Sequence, residues 1–373
     1  MTTKSNMDLS NIPDEMKAIQ VVEFDKPYKI NTVPVPKDLA PEDILVKVGV
    51  ASNCHTDSMV QHGTFGTNLP VTASHEGAGT VVAVGSSVTN FKLGDRVMCG
   101  LPYHPCGHCQ DCYGPETWRQ YCTNIAGHSG VHRDGFFAEY ALVDSRTSTP
   151  IPDAVTLESA APLACAGRTI WRGVLEAELK SGEWIAFVGS GGGLGHLGVQ
   201  MAKALGLNVV GIDARDEGLA LSKEAGADVV LDARKGKDTV VQEVQKVTAG
   251  AGVDASITLS DADDAAGLAC ALTKMHGTMV QIAQPDNVMI PFAEFIFRDI
   301  RVKGSLLCSP EQSVSMLKCI AEHGIKVKTN PFHGLDKIGE LVDLVHGGKI
   351  KGKAIIVVDE EQIKKEKELG AKF

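Results

Sequence analysis

Glu183-Trp-Ile-Ala-Phe-Val188 runs directly into Gly189-Ser-Gly-Gly-Gly-Leu-Gly195, and this junction decides the fold of the second half of the chain. The first part is a short apolar run of the buried-strand type, and Leu194–Leu205 behind it carries apolar residues at helical spacing. Strand, glycine-rich turn and helix in that order make a phosphate cradle. Glycines let the backbone approach a pyrophosphate, and the helix N-terminus supplies aligned N–H donors. The next strand-like run, Asn208–Ile212, ends in Asp213. An acid there accepts hydrogen bonds from both adenine-ribose hydroxyls and repels a 2′-phosphate, so the pattern favours NAD over NADP. Arg215 is close enough to soften that preference. A literal G-x-G-x-x-G at Gly193, Gly195 and Gly198 begins inside the helix, so Gly198 reads as a helix-packing glycine. A plain glycine turn with an aspartate as helix cap is the bland alternative, and it does not account for the strand, the helix and the acid together.

Working outward, strand-like runs recur at Asp228–Leu231, Val253–Leu259, Thr278–Ile282 and Ile300–Leu306, with helical segments such as Glu217–Glu224 and Thr239–Val247 between them. Six strands alternating with helices predict a doubly wound parallel sheet, an α/β Rossmann arrangement. The first 150 residues differ in texture. Lys17–Phe24, Asp43–Ala51, Ala78–Val84 and Asp95–Cys99 are short Val-rich runs punctuated by Gly and Pro, as in a compact β-rich domain. The tail from Glu360 has mixed charge and reads as a solvated terminal helix or a frayed end. A length of 373 residues accommodates two domains. A net charge of −10 argues against nucleic acid or an anionic membrane as partner. The start, Met1–Asp14, has no apolar h-region and no arginine, and no run reaches the length of a membrane span, so the expected compartment is the cytosol.

Two cysteine constellations add chemistry. Cys106, Cys109, Cys112 and Cys122 fall within seventeen residues at C-x₂-C-x₂-C-x₉-C spacing. Four thiolates on such turns suit a closed tetrahedral zinc site, and a polar Gly/Pro/Cys-rich loop, Pro102–Cys122, would be folded by the metal. Paired disulfides are the alternative, and nothing else in the sequence suggests secretion. The second constellation is Cys54, His75-Glu76 and Cys165. Two cysteines and one histidine leave a zinc shell incomplete, which keeps a place for substrate.

Together these residues resemble the zinc-dependent medium-chain alcohol dehydrogenases, in particular their yeast and fungal branch. The resemblance rests on Cys54-His-Thr-Asp57, His75-Glu-Gly-Ala-Gly79, the four-cysteine lobe, Cys165-Ala-Gly-Arg-Thr169, and Gly192-Gly-Leu-Gly195 with Gly-Ile-Asp213, in family order from about Met16 to Val358. It implies a GroES-like catalytic domain over residues 1–166 and 310–373, interrupted by an NAD-binding Rossmann domain over 167–309. It also implies two zinc ions per chain, hydride transfer between NAD and a small alcohol, aldehyde or ketone, and a homotetramer or dimer. In that scheme zinc on Cys54, His75 and Cys165 lets an alkoxide form near neutral pH. Asp57 orients the histidine, and Glu76 stands behind the zinc and approaches it during ligand exchange. Thr56 hydrogen-bonds the substrate oxygen. His55 and Lys353 face the cofactor phosphates, Thr169 touches the nicotinamide, and Gly189, Gly192, Gly193, Leu194, Gly195, Asp213, Arg215 and Ile282 complete the cofactor set. For several of these the ordinary alternatives are plain: a turn-capping Asp57, a buried and paired Glu76, a turn threonine, a solvated Lys353.

Three departures from the family pattern stand out. The Cys112–Cys122 spacer is two residues longer than usual, which predicts a bulge near Trp118. Met59 occupies a position where the family often has histidine, which leaves the standard proton relay in question. Ser74 precedes the histidine ligand where the nearest relatives carry glycine. Thr64–Pro70, with Phe65, is expected to set specificity. Two rivals remain open from sequence: an aryl- or cinnamyl-type aldehyde reductase of the same fold, and a non-catalytic zinc or thiol redox sensor.

Overall fold

The computed structural model describes residue 9 and residues 11–373. The reading of Met1–Asp14 as lacking a targeting segment falls largely on positions outside the described residues. Among the described residues no helix is long and apolar enough to cross a membrane. The chain forms two compact units. The first gathers the chain up to Cys165 with Ser309–Ala321 and Thr329–Phe373, and the second comprises Ala166–Cys308 with Glu322–Lys328. The segment 322–328 thus leaves the catalytic domain to which the family pattern assigned all of 310–373. Its backbone explains why. Lys328 N–H donates to His196 Nε2 at 3.1 Å, and Lys326 exchanges hydrogen bonds of 2.9 and 3.0 Å with the Gln200 amide.

The first unit begins with eight strands: β1 (Glu15–Val21), β2 (Lys29–Pro34), β3 (Asp43–Ser52), β4 (Val71–Thr72), β5 (Glu76–Val84), β6 (Arg96–Met98), β7 (Tyr140–Asp144) and β8 (Thr149–Pro150). The second unit contributes β9 (Trp184–Val188), β10 (Asn208–Asp213), β11 (Val229–Asp232), β12 (Val253–Thr258), β13 (Thr273–Gln281) and β14 (Arg301–Gly304). The chain then returns to the first unit with β15 (Thr329–His333) and β16 (Lys353–Val357).

In the first unit β3 is the organising strand. It is buried along almost its whole length, as its Val-rich sequence dictates for a strand covered on both faces. It pairs antiparallel with β5, β7 and β16. The register sets Ser52 opposite Glu76 on β5 and Ile355 on β16. The end of β3, which leads to Cys54, therefore lies beside the start of β5, where His75 and Glu76 sit, and beside the start of β16, where Lys353 sits. Beneath these strands Val46, Val48, Ala51, Val81, Phe136 and Ile356 form one continuous core.

In the second unit six strands lie in the order β11-β10-β9-β12-β13-β14, and every pairing is parallel. This is the doubly wound sheet expected from the sequence. The order reverses between β9 and β12, and in open parallel sheets ligands bind at that reversal, outside the carboxyl ends of the strands. The helix Gly195–Ala204 follows the glycine turn. Gly198 packs as expected: a Cβ there would come within 2.7 Å of Ile170 and 2.8 Å of Phe187.

Candidate metal centres and cofactor cleft

Cys54, His75, Glu76 and Cys165 converge in the first unit, with ligand-type atoms all within 4.8 Å of one another. Each arrives by a different local device. Asn53 N–H donates to Ala354 O at 2.9 Å, fixing the exit of β3, and Cys54 then caps the helix His55–Gln61. Cys165 lies in a π-helical turn, Leu163–Gly167, between the helices Leu157–Pro162 and Arg168–Glu176. Wide turns of this kind recur at functional sites because the extra residue pushes a side chain out of helical register.

Asp57 serves two partners at once. One carboxylate oxygen accepts the Cys54 N–H at 2.8 Å, and the other lies 3.2 Å from His75 Nδ1. The turn-cap reading and the histidine-orienting reading are both satisfied by one buried side chain. With Nδ1 engaged, His75 Nε2 is left buried without a hydrogen bond of sound geometry. A buried nitrogen lone pair among sulfurs is costly unless something accepts it, and a soft dication does so.

The electrostatics point the same way. The Cys165 side chain pulls the Cys54 thiol well below its ordinary value against the cost of burial, with Lys353 and His75 adding to the effect. The same contact, with burial, pushes Cys165 well above its own. Asp57 and Cys165 outweigh burial and raise the His75 imidazole. Three groups thus compete for one set of protons, which a metal ion replaces on all three.

Lys353 corrects an expectation. Instead of facing cofactor phosphates it is 5% exposed and its ammonium lies 2.7 Å from Glu76 Oε2. Burial pushes the Glu76 carboxyl up to about 7, with Lys353 opposing and Cys54 assisting. Burial also pulls on Lys353, but Cys54 and Glu76 outweigh it and keep the ammonium charged.

The four-cysteine lobe is built differently. The sulfur separations are 3.6 Å for Cys109–Cys112 and Cys122–Cys106, 3.7 Å for Cys109–Cys122 and 3.9 Å for Cys106–Cys112. A tetrahedron with metal–sulfur bonds of about 2.3 Å has edges of about 3.8 Å, whereas a disulfide would need about 2 Å. The donor set therefore fits zinc and excludes disulfides. The lobe is a loop with one short helix, Gln110–Tyr113, and a 3₁₀ turn, Glu116–Tyr121, that takes up the long spacer around Trp118. Glu116 anchors it by accepting the Glu311 N–H at 2.9 Å at the start of the helix Pro310–His323. At its other end Tyr103 and His104 both reach the buried Asp43 carboxylate at 2.8 Å, and Arg133 covers the Tyr103 ring.

In the second unit a cleft of about 530 Å³ opens at the ends of β9, β10 and β12, lined by Gly189, Gly192, Asp213 and Arg215 among others. Gly189 takes φ +93°, closed to a side chain at little cost only in glycine, and a Cβ on Gly195 would meet the Ser190 carbonyl at 2.4 Å. Asp213 is nearly buried, and its two oxygens accept Gly191 N–H and Arg215 N–H at 3.0 Å each. A carboxylate has about four acceptor positions, so Oδ2 keeps one for a further donor, while on Oδ1 Arg215 competes for the second. The Arg215 Nε lies 3.4 Å from the same carboxylate.

Comparison with known proteins fits this geometry. Residues 40–153 match the alcohol dehydrogenase GroES-like domain, and residues 193–322 match the zinc-binding dehydrogenase domain. An alcohol dehydrogenase of Geobacillus stearothermophilus is 35% identical over 350 residues, covering 92% of this chain and all of that one. The chain belongs to the zinc-dependent medium-chain alcohol dehydrogenases. Membership makes it a zinc-dependent alcohol oxidoreductase. Alcohol dehydrogenase 1 of Emericella nidulans is also 35% identical, over 90% of this chain and 95% of its own length, so identity does not single out the fungal branch. The alcohol dehydrogenase of Aeropyrum pernix superposes with a TM-score of 0.82 at 27% identity, covering 91% of this chain and 99% of that one.

Against the family pattern the remaining residues fall as follows. His55 and Thr56 open the helix behind Cys54, with His55 exposed and Thr56 half-buried. Thr169 lies half-buried on the second unit's helix Arg168–Glu176, and Ile282 follows the end of β13. Gly193 and Leu194 complete the turn before Gly195. In the expected specificity segment Phe65 and Leu69 pack on the core, while Thr67 is 5% exposed with its hydroxyl unpartnered. Sequence reading missed the Asp43 anchor of the lobe, because its partners are distant in the chain. It also missed His196, whose Nδ1 meets the Gly192 carbonyl at 3.0 Å beneath the glycine turn.

Proposed function

We propose that this chain interconverts small alcohols with aldehydes or ketones, using NAD rather than NADP as hydride acceptor. The observation that carries the reading is the convergence of half-buried Cys54 and Cys165 on buried His75, whose Nε2 is left without a partner. Zinc bound there supplies a Lewis acid that lowers the pKa of an alcohol hydroxyl. Cys54 and Cys165 hold the ion as thiolates, and Asp57 fixes the His75 tautomer so that Nε2 is the donor. Thr56 takes the hydrogen bond of the substrate hydroxyl and begins the exit of its proton, a path that Met59 cannot relay. Glu76, neutralised by Lys353, stands by as a further oxygen donor. His55, Thr169, Ile282 and the turn Gly189–Gly195 bind the cofactor, and Asp213 receives the adenine ribose. Cys106, Cys109, Cys112 and Cys122 hold the second, structural zinc.

The chain also acts as a homo-oligomer in this reading, dimer or tetramer. Among the described residues β14 is paired on one side only. Phe292, Ile296 and Phe297, which precede it, are 65%, 64% and 72% exposed. Large exposed apolar groups beside an open strand edge suit a second copy of the chain.

The test is NADH and NADPH absorbance on a panel of aliphatic and aryl alcohols and aldehydes in both directions, with metal content and native mass measured on the same sample. Two zinc ions per active subunit and turnover with NAD are expected. A fully active chain with one zinc, or equal use of NADP, would overturn the assignment of the open site or of Asp213 respectively.

A further inference from the structure

The turn that presents His75 contains a serine in a conformation that favours glycine. Ser74 has φ +71° and is fully buried. In this region the Cβ crowds the following carbonyl, so any side chain is unfavourable and glycine is the residue of least strain. The turn cannot relax. The Ser74 carbonyl accepts the Phe136 N–H at 2.9 Å, and two glycines press on it: a Cβ at Gly135 would lie 1.9 Å from that oxygen and one at Gly130 2.2 Å. A strained residue held from all sides is retained where its side chain has a task.

The hydroxyl shows what that task is. Ser74 Oγ donates to the Ser52 carbonyl at 2.8 Å and accepts the Glu76 N–H at 3.3 Å. Ser52 ends β3 two residues before Cys54, and Ser74 and Glu76 flank His75. One buried hydroxyl therefore ties together the two chain segments that deliver the first and second ligands. We propose that Ser74 is a positioning residue that braces the Cys54 segment against the His75 turn and so sets the affinity and geometry of the open metal site. The inference rests on the reading of Cys54, His75 and Cys165 as metal ligands. A glycine at this position would leave the backbone relaxed but the two segments joined only through the sheet. Groups one step behind metal ligands typically contribute about 10–100-fold to affinity, and Ser74 acts through backbone rather than through the imidazole.

Two substitutions separate bracing from strain. Ser74→Gly removes both the hydroxyl and the strain, whereas Ser74→Ala removes the hydroxyl and keeps the strain. In the zinc protein, chelator-driven loss from the open site should be about tenfold faster or more in both variants, with loss from the four-cysteine lobe unchanged. With cobalt in the open site, the visible bands should move in both. Thermal stability should divide them, Ser74→Gly matching or exceeding the parent and Ser74→Ala falling below it. If Ser74→Ala does not fold, Ser74→Gly decides alone. Parent-like metal loss and parent-like cobalt bands in Ser74→Gly would overturn the inference. Failure of the parent itself to take up a second metal would instead overturn the ligand reading beneath it.

Discussion

The two metal centres lie in the same unit and are made in opposite ways. The lobe takes four sulfurs from seventeen consecutive residues on a loop, and three of the four cysteines are partly exposed. The open site takes its ligands from Cys54 to Cys165, delivered by a strand end, a turn and a π-helical turn, and its histidine is 1% exposed. A loop site has little structure of its own without its ion: the contacts that tie Pro102–Cys122 to the rest of the unit gather at Pro102, Tyr103 and His104 and at Glu116 and Arg119. A sheet site has most of its structure without one, because β3, β5 and β16 are already paired through the register around Ser52. Metal should therefore fold the first and only complete the second.

The largest expected effects follow from that contrast. Cys165→Ala or His75→Asn should lower turnover by about a thousandfold or more, since a Lewis acid is worth several kcal/mol to the chemical step. Far-ultraviolet circular dichroism and melting should change little. Cys109→Ala should do the reverse, loosening the lobe and raising protease cleavage within 102–122 before activity per folded molecule is lost. Mild chelation should empty the open site first, and metal analysis would then read one zinc per inactive but folded chain. Loss of both ions together would erase the distinction between the centres.

Asp57 sharpens the same comparison, because the lobe has no counterpart to it. Its two oxygens serve Cys54 N–H and His75 Nδ1. Asn offers one acceptor oxygen, so Asp57→Asn must give up one of these bonds. Metal affinity at the open site should fall about 10–100-fold, with about 1 kcal/mol of helix-cap stability at stake as well. Equilibrium competition with a zinc chelator measures the first and thermal melting the second.

What could be read from sequence divides along the same line. The C-x₂-C-x₂-C-x₉-C run and the Gly189–Gly195 turn are local, and spacing alone carried them: sulfur separations of 3.6–3.9 Å and a strand-turn-helix stand where the pattern put them. The grouping of Cys54, His75 and Cys165 rested on residue type and then on family resemblance, since no spacing rule joins residues so far apart. Where local pattern and resemblance misplaced a residue, tertiary pairing decided. The resemblance set Lys353 against the cofactor phosphates, yet the antiparallel pairing of β16 on β3 brings it onto Glu76. The segment 322–328 follows a helix of the first unit but is claimed by His196 and Gln200 of the second. Ser74 was visible as a departure, but its positive φ and its reach to Ser52 were not.

In the second unit Asp213 is a locally readable site whose strength can be tuned. Asp213→Ser removes the charge that would meet a 2′-phosphate and frees Arg215 from its 3.4 Å contact with the carboxylate. The NAD-over-NADP ratio of kcat/KM should fall by about tenfold to a hundredfold, the scale of one like-charge repulsion. An unchanged ratio would assign the preference to other residues of the cleft.

The smallest expected effect concerns the proton leaving the open site, and it tests whether that site ends at its ligands. Thr56, Met59 and His62 follow one another at three-residue steps along and just past the helix His55–Gln61, so they lie roughly along one face of it. Methionine offers no group that takes up a proton at neutral pH, so the middle step is missing. His62 caps the helix and is 62% exposed, with its Nδ1 2.6 Å from the equally open Asp25 carboxylate. An imidazole beside a carboxylate can accept a proton and pass it to water, but so can water itself at an exposed edge. A well-placed general base is worth about 10²-fold or more, and one that competes with bulk water is worth less. Met59→His should therefore raise the hydride-transfer rate for alcohol oxidation near neutral pH by several-fold, within that bound. The gain should fade at high pH, where hydroxide removes the need for a relay. His62→Ala should lower the rate over the same range only if protons take the detour through the Asp25 pair. Single-turnover pH profiles of parent, Met59→His and His62→Ala distinguish these cases. Three superimposed profiles would mean that proton exit does not limit the reaction, and the open site would then owe nothing to the helix beyond Thr56 and Asp57.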